Sequence, residues 1–456
     1  MYTLNTGDKI KLEIRKQGIN GEGIGYYNKL AIFVPGAILK EVVNCEITDM
    51  KSGYSIAKLD SVERVSTKRV TPPCKFFEKC GGCQMQHIDY IEQLKIKKSI
   101  LKQSLFRYTT LKNTDSLIKK TLGMENHFGY RNKSQMPFRN LNFGLCLGLY
   151  EPGTNHFVYI DECIVQNPKV NEINKSVLSL MRKNQIVAND HLNKEGILLH
   201  LVTRYLEKTD EASVTFIISK FNKSLQVIAK EIIELHPEVK SVSYSINRKN
   251  STLIFGNTVE ILAGSKHIHD DFEGLKVKIS PDAFHQLNSK QMEILYKEIE
   301  KAANLTGKET IIDCYSGIGI TSLKLAKNAK FVYGIDYSVP SIKDAKENAK
   351  INGITNIEMI AEHVEGALPR ILATGVKPDI IIFDPPRSGL DHSVITALLE
   401  AKVNRLIYVS CNPSTLAKNI ADMVSLYDVE YIQPIDMFPH TSSVESVTLL
   451  KLKNQL

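Results

Sequence analysis

The chain has 456 residues, 43% of them hydrophobic and 24% charged, with 58 Lys+Arg against 50 Asp+Glu for a formal charge of +8. This is the composition of an ordinary globular protein of several domains, and it excludes disordered, collagenous and small disulfide-stapled chains. No apolar run approaches the roughly 18 residues that a membrane helix needs, and residues 1–10 lack the charged-then-apolar layout of a secretory signal; the expectation is a cytoplasmic protein. Its eight cysteines (45, 74, 80, 83, 146, 163, 314 and 411) therefore read as ligands, nucleophiles or core residues rather than disulfides.

Residues 1–61 alternate in short segments (9–15, 30–34, 42–48, 54–59) broken by Gly18, Gly21, Gly23, Gly25, Gly36 and Gly53. Short strands with frequent glycine turns predict a small β-barrel. A central domain, 62–275, opens with a Pro-Pro-Cys stretch. Apolar residues at helical spacing over 91–108 predict a helix that packs on the last domain, and the rest is mostly strand with a helix at 164–183. From 276 to 456, apolar runs at 310–314, 331–335, 357–360, 380–383 and 406–409 alternate with helix-like stretches. That rhythm is α/β, a Rossmann-like doubly wound sheet.

Strand 310–314 runs into Asp313-Cys314-Tyr315-Ser316-Gly317-Ile318-Gly319, a turn whose glycines let backbone approach a ligand at the carboxyl edge of the sheet. The third glycine of a dinucleotide fingerprint is missing, and Asp336 ends the next strand, placed to take ribose hydroxyls. This favours S-adenosylmethionine over NAD; a turn without any ligand is the plainer alternative. Asp384-Pro385-Pro386-Arg387 presents a second carboxylate at the same edge. Amino-group methyltransferases carry an aromatic after their Pro-Pro, where Arg387 stands here.

A third strand end, Ser410-Cys411-Asn412-Pro413, offers a thiol just before a helix amino terminus, where a thiolate is favoured. Taken by itself Cys411 reads equally as a buried strand-end cysteine. Beside a methyl donor it reads as a nucleophile, because uracil C5 is too poor a nucleophile until a thiolate adds at C6. A base must then remove the C5 proton. Glu445, at the start of a strand 444–453, is placed to be that base, although alone it would read as a solvated strand residue.

These motifs resemble those of the RNA uracil-C5 methyltransferases over nearly the whole chain. The resemblance implies Cys411 as nucleophile, Glu445 as base, and methyl-donor contacts from Gln286, Tyr315, Asp336 and Asp384. It identifies residues 1–61 as a TRAM domain, favours 23S rRNA as target because the tRNA branch lacks that domain, and implies a monomer with no obligate protein partner and no membrane. Cys74, Cys80, Cys83 and Cys163 are similar to the family's four ligands for a [4Fe-4S] cluster; four thiolates suit zinc as well on chemistry alone. Two departures stand out. The family usually has Glu where Asp336 is, and its adenine-side signature appears as Glu362-His363-Val364-Glu365 with only the last carboxylate kept.

Three other readings stay open: a tRNA uracil-C5 enzyme, a cytosine-C5 RNA methyltransferase, against which Ser410 stands where a Pro-Cys motif is usual, and a non-catalytic RNA-binding iron-sulfur protein. The positive charge is also localised. Residues 93–139 hold 11 Lys+Arg and 2 Asp+Glu, while the rest of the chain holds 47 against 48. That stretch is expected to track an RNA backbone, with an unpaired, flipped uridine as the target.

Overall fold

The protein is described by a computed structural model covering residues 4–190, 193–247 and 254–454. Its chain divides into two compact units. One gathers 1–125, 386–389 and 409–450; the other gathers 126–385, 390–408 and 451–456.

The first unit begins with a six-stranded barrel in the spatial order Lys9–Glu13, Val42–Met50, Tyr54–Arg64, Leu30–Val34, Gly23–Tyr27, Lys16–Gln17. Strict alternation along Val42–Met50 sends Val43, Cys45 and Ile47 inward against Leu12, Ile32 and Val34. Where the sequence reads only glycine punctuation, the structure has a strand. Gly23 and Gly25 lie inside it because a β-carbon at Gly25 would sit 2.5 Å from Leu12, and one at Gly23 would sit 2.9 Å from Ala37. The missing side chains let this strand close over the core.

At the barrel's edge Glu41 is fully buried. Its carboxylate accepts from Arg69 Nε and Nη2, both at 2.8 Å, from Ile38 N at 2.9 Å and from Ser66 N at 3.2 Å. Burial pushes the carboxyl up, but the Arg69 and backbone hydrogen bonds outweigh it and hold the pKa below the ordinary value.

The helix Tyr90–Tyr108 starts at Asp89, which caps Glu92 N at 3.2 Å. Its buried stripe is Gln93, Ile96, Lys97, Ile100, Leu101 and Leu105, and it packs against the helix Pro413–Met423. The strands Tyr427–Ile435 and Glu445–Leu452 lie side by side.

The second unit holds a seven-stranded mixed sheet in the order Glu260–Gly264, Val239–Ile246, Glu211–Ile218, Leu198–Leu206, Lys133–Leu141, Gly144–Tyr150, Phe157–Tyr159. The helix expected at 164–183 begins at Pro168, because proline suits the first helical position and Asn167 caps Lys169 N at 2.9 Å. A further helix, Ser224–Leu235, makes the crossover between two parallel strands that the reading of this region as mostly β had passed over.

Five parallel strands follow in the order Ile357–Ala361, Phe331–Asp336, Thr310–Cys314, Ile380–Phe383, Arg405–Ser410. Registers such as Asp313↔Gly334 and Phe383↔Tyr408 bring their carboxyl ends to one edge. Ile380–Phe383 is apolar at every position because a parallel sheet is covered on both faces. No helix of the described residues is long and apolar enough to cross a membrane.

The basic stretch is less of a surface than its charge implies. Lys97 and Lys133 are buried, while Lys95 pairs with Glu92 and Lys102 with Asp115. Composition counts cations without knowing which of them fold inward.

Arg69→Ala is expected to destabilise the protein by about 3 kcal/mol in urea unfolding at neutral pH, since it strands a buried carboxylate. Glu41 has a lowered pKa, so its stabilisation is lost as pH falls through that value. The penalty of the variant should accordingly shrink in acid.

Candidate active site

In the second unit the turn after Thr310–Cys314 is built from left-handed residues: Tyr315 at φ 65°, Gly317 at 55° and Gly319 at 83°. A non-glycine residue in that region is uncommon, and here it swings the Tyr315 ring so that its hydroxyl donates to Glu365 Oε1 at 3.3 Å. Space in front of Gly317 is open, and the buried Ser316 hydroxyl has no hydrogen-bond partner among the described residues. Asp336 braces the turn. Its Oδ2 accepts from Gly317 N at 3.0 Å and its Oδ1 from Ser338 N at 2.8 Å, leaving acceptor capacity on both oxygens for hydroxyls. An open glycine turn, an orphaned hydroxyl and a fixed carboxylate together fit the adenosyl part of a methyl donor.

Gln286 is buried, and its carbonyl accepts from Asn132 Nδ2 and from His285 Nδ1, each at 3.0 Å. Asn288 then caps the helix Ser289–Ala303 through Gln291 N at 3.2 Å. Asp384 is half-exposed, and its amide donates to Cys314 O at 3.3 Å. Burial by surrounding protein, and then the neighbouring Asp313 charge, push its carboxyl up to about 7. Asp313 itself lies beneath the turn. Burial raises it to about 7 against a hydrogen bond from the Ser322 hydroxyl, and Asp336 adds to the rise. Sequence reading quoted Asp313 only as the end of a strand. Its position in an otherwise apolar strand interior was the available signal.

In the first unit Cys411 is partly exposed and immediately precedes Asn412, the cap of the helix Pro413–Met423. The loop is fixed on both sides. Asn412 N donates to Ser410 Oγ at 3.1 Å, Asn412 Nδ2 donates to Arg387 O at 2.9 Å, and Asn412 Oδ1 accepts from Ser414 N at 3.1 Å. Arg387, which stands where an aromatic would serve other chemistry, thus offers its carbonyl as an anchor for the cysteine loop. Glu445 is buried at the first position of its strand. His440, five residues earlier, is left-handed at φ 68°.

The turn bearing Cys74, Cys80 and Cys83 belongs to the same unit, with all three thiols partly exposed. Cys80 Sγ accepts from Gly82 N at 3.4 Å. Cys163 lies in the second unit, where Asn171 pins its backbone from both sides: Cys163 N donates to Asn171 Oδ1 at 3.2 Å, and Asn171 Nδ2 donates to Cys163 O at 3.0 Å. The donor chemistry fits a thiolate-bound metal group. Among the described residues, however, no three His, Cys, Asp or Glu side chains are gathered as metal ligands.

A parallel sheet with a glycine turn and carboxylates at its edge, on one chain with an oligonucleotide-binding type of barrel, defines an RNA methyltransferase class. The chain belongs to the tRNA (Uracil-5-)-methyltransferase family, whose model matches residues 89–453, and a TRAM domain model matches residues 4–59. It is 42% identical over 452 residues to an uncharacterized RNA methyltransferase of Listeria monocytogenes, 98% of either chain. A Bacillus anthracis protein of the same description is 40% identical over 454 residues, covering 99% of this chain and 98% of its own. Among solved structures, the Pyrococcus abyssi tRNA (uracil-54, C5)-methyltransferase in complex with S-adenosyl-L-homocysteine superposes with a TM-score of 0.76 at 26% identity, over 97% of this chain and all of that one. The uncovered 3% is too short to contain residues 4–59. A tRNA enzyme can therefore carry the amino-terminal barrel, and the barrel by itself does not separate ribosomal from transfer RNA targets.

Because Asp313 titrates near 7 when folded and in the ordinary carboxylate range when unfolded, the folded chain holds the extra proton between those values. Stability contributed by this group falls as pH rises through that window and levels off above it. Asp313→Asn removes the effect. Its melting temperature relative to wild type is expected to climb between pH 5 and pH 8, and a pH-independent difference in thermal melts would refute the assignment.

Proposed function

We propose that the protein methylates C5 of a uridine in 23S rRNA, using S-adenosylmethionine, through a covalent bond between Cys411 and uracil C6. Family membership supports the reaction class. The observation that carries the mechanism is the Cys411 loop: a partly exposed thiol held rigid by Asn412 and Arg387 at the amino end of a helix, whose dipole favours the thiolate. Cys411 adds at C6 and leaves C5 nucleophilic. The bound donor supplies the methyl group to C5. Glu445 then removes the C5 proton, the electron pair restores the C5–C6 double bond, and the thiolate leaves.

Gln286, Tyr315, Asp336 and Asp384 would hold the donor, Asp336 through the ribose hydroxyls. Residues 1–61 and the exposed cations of the 93–139 stretch hold RNA backbone; 62–275 forms the central domain and 276–456 the catalytic one. The chain acts as a cytoplasmic monomer. Transfer RNA is the second reading, favoured by the tRNA-modifying relative that superposes on nearly the whole chain. Cys74, Cys80, Cys83 and Cys163 are the residues that would hold a [4Fe-4S] cluster.

With 5-tritiated uridine in 23S fragments and in tRNA transcripts, release of tritium is expected from the ribosomal substrate. Cys411→Ala should abolish it, and residual release would end the covalent mechanism; release from tRNA alone would select the second reading. Glu445→Gln is expected to trap a protein–RNA adduct that survives denaturing electrophoresis. Protein purified without oxygen should carry iron and acid-labile sulfide, both depleted in Cys83→Ser, whereas stoichiometric zinc would displace the cluster reading.

A further inference from the structure

The helix Tyr90–Tyr108 carries three polar side chains that a core-facing stripe would ordinarily exclude, and all three reach the segment leading to Glu445. Lys97 and Asp436 are both fully buried and paired with each other. Lys97 Nζ also donates to Phe438 O at 2.9 Å, while Tyr90 Oη donates to the other Asp436 oxygen at 2.7 Å. One turn before Lys97, Gln93 makes four contacts. Its Nε2 donates to Met85 O at 3.0 Å and Ile88 O at 2.9 Å and lies 3.3 Å from His440 Nδ1; its Oε1 accepts from His440 N at 3.0 Å. The His440 carbonyl in turn accepts from Gln84 N and Met85 N at 3.0 and 2.9 Å, just beyond Cys83.

From these anchors a local chain runs on toward the base. Phe438 O, already bound by Lys97, accepts from Thr441 Oγ1 at 2.8 Å, and Thr441 Oγ1 accepts from Ser443 N at 3.3 Å, two residues short of Glu445. A fully desolvated ion pair is a poor source of stability, since apolar side chains of similar volume often do as well. What it provides is a single geometry: among the described residues the lysine has these two acceptors, and slipping the segment by one residue would leave a buried charge unpaired.

We infer that Gln93 and Lys97 are positioning residues for the reaction, holding the 436–445 segment so that the Glu445 carboxylate meets the C5 proton. The inference rests on the proposed roles of Cys411 and Glu445. It assigns the helix to one step only, proton removal and release of the thiolate, and leaves thiolate addition and methyl transfer intact.

This separates positioning from mere folding. Gln93→Met keeps volume and removes every hydrogen bond. It is expected to lower kcat about 10- to 100-fold with KM for RNA nearly unchanged, as a misplaced group does, and to accumulate methylated protein–RNA adduct on denaturing gels, as Glu445→Gln does. Should Gln93→Met fail to fold by circular dichroism, the double variant Lys97→Met/Asp436→Leu, which removes the ion pair without stranding a charge, carries the same measurement. A kcat within twofold of wild type overturns the inference, and so does a fall in kcat with no adduct while Glu445→Gln accumulates one. If Glu445→Gln itself gives no adduct, the assignment of the base fails and takes this inference with it, a result distinguishable from the other two.

Discussion

The first unit is organised around a charge that has no access to water. Lys97 sits in the middle of a helix whose other inward residues are uncharged and mostly aliphatic, and burial alone would drive its ammonium toward the neutral form. Asp436 opposes that. The pair is tolerable only because its remaining valences are filled by Tyr90 and the Phe438 carbonyl, so four residues from two distant parts of the sequence must arrive together. An apolar contact would accept several registers between this helix and the segment after strand Tyr427–Ile435. The ion pair accepts one, and the Gln93–His440 exchange one turn away repeats the restriction with neutral groups.

The second unit meets a related demand by different means. Its parallel strands end at a common edge, and three carboxyl groups stand there in three environments. Asp336 is held by two backbone amides, Asp313 is buried and hydrogen-bonded by Ser322, and Asp384 lies at the start of a proline-fixed turn. Amide donors favour the charged form, while burial and like charge favour the neutral one. Burial and like charge thus hold two of the three carboxyls, Asp313 and Asp384, well above the ordinary carboxylate range.

Much of this was legible from the chain. The five parallel strands announce themselves as short apolar runs because a strand covered on both faces has no polar alternation to blur it. Asp384 and Asp336 stand out because each follows such a run directly, and Cys411 because a single serine separates it from one. The helix at Tyr90–Tyr108 was legible as a helix but not as a device. Its lysines were read as a solvated, phosphate-facing row, and a charge count could not tell Lys97 from Lys95, although helical spacing puts Lys97 four residues from Gln93 and from Leu101 on the buried face. Gly23 and Gly25 misled in the opposite sense, as turns, because pattern rules see a glycine's freedom and not the neighbour that a β-carbon would strike.

The cysteine turn shows how the two kinds of information meet. Its spacing identifies thiols fit for a metal group, and nothing local says why they should stand in this place. The hydrogen bonds supply the reason. The residues immediately after Cys83 are Gln84 and Met85, whose amides bind the His440 carbonyl, and the Met85 carbonyl receives the Gln93 amide. Whatever orders the cysteines therefore orders one wall of the segment that carries Glu445, through three hydrogen bonds and without approaching the reacting atoms. The turn is also held from within: Phe77 N donates to Cys74 O at 3.1 Å, Cys80 N donates to Phe76 O at 2.7 Å, and the Phe77 ring lies against His87. The turn in this way fixes the His440 carbonyl, and with it the start of the loop that leads to Glu445.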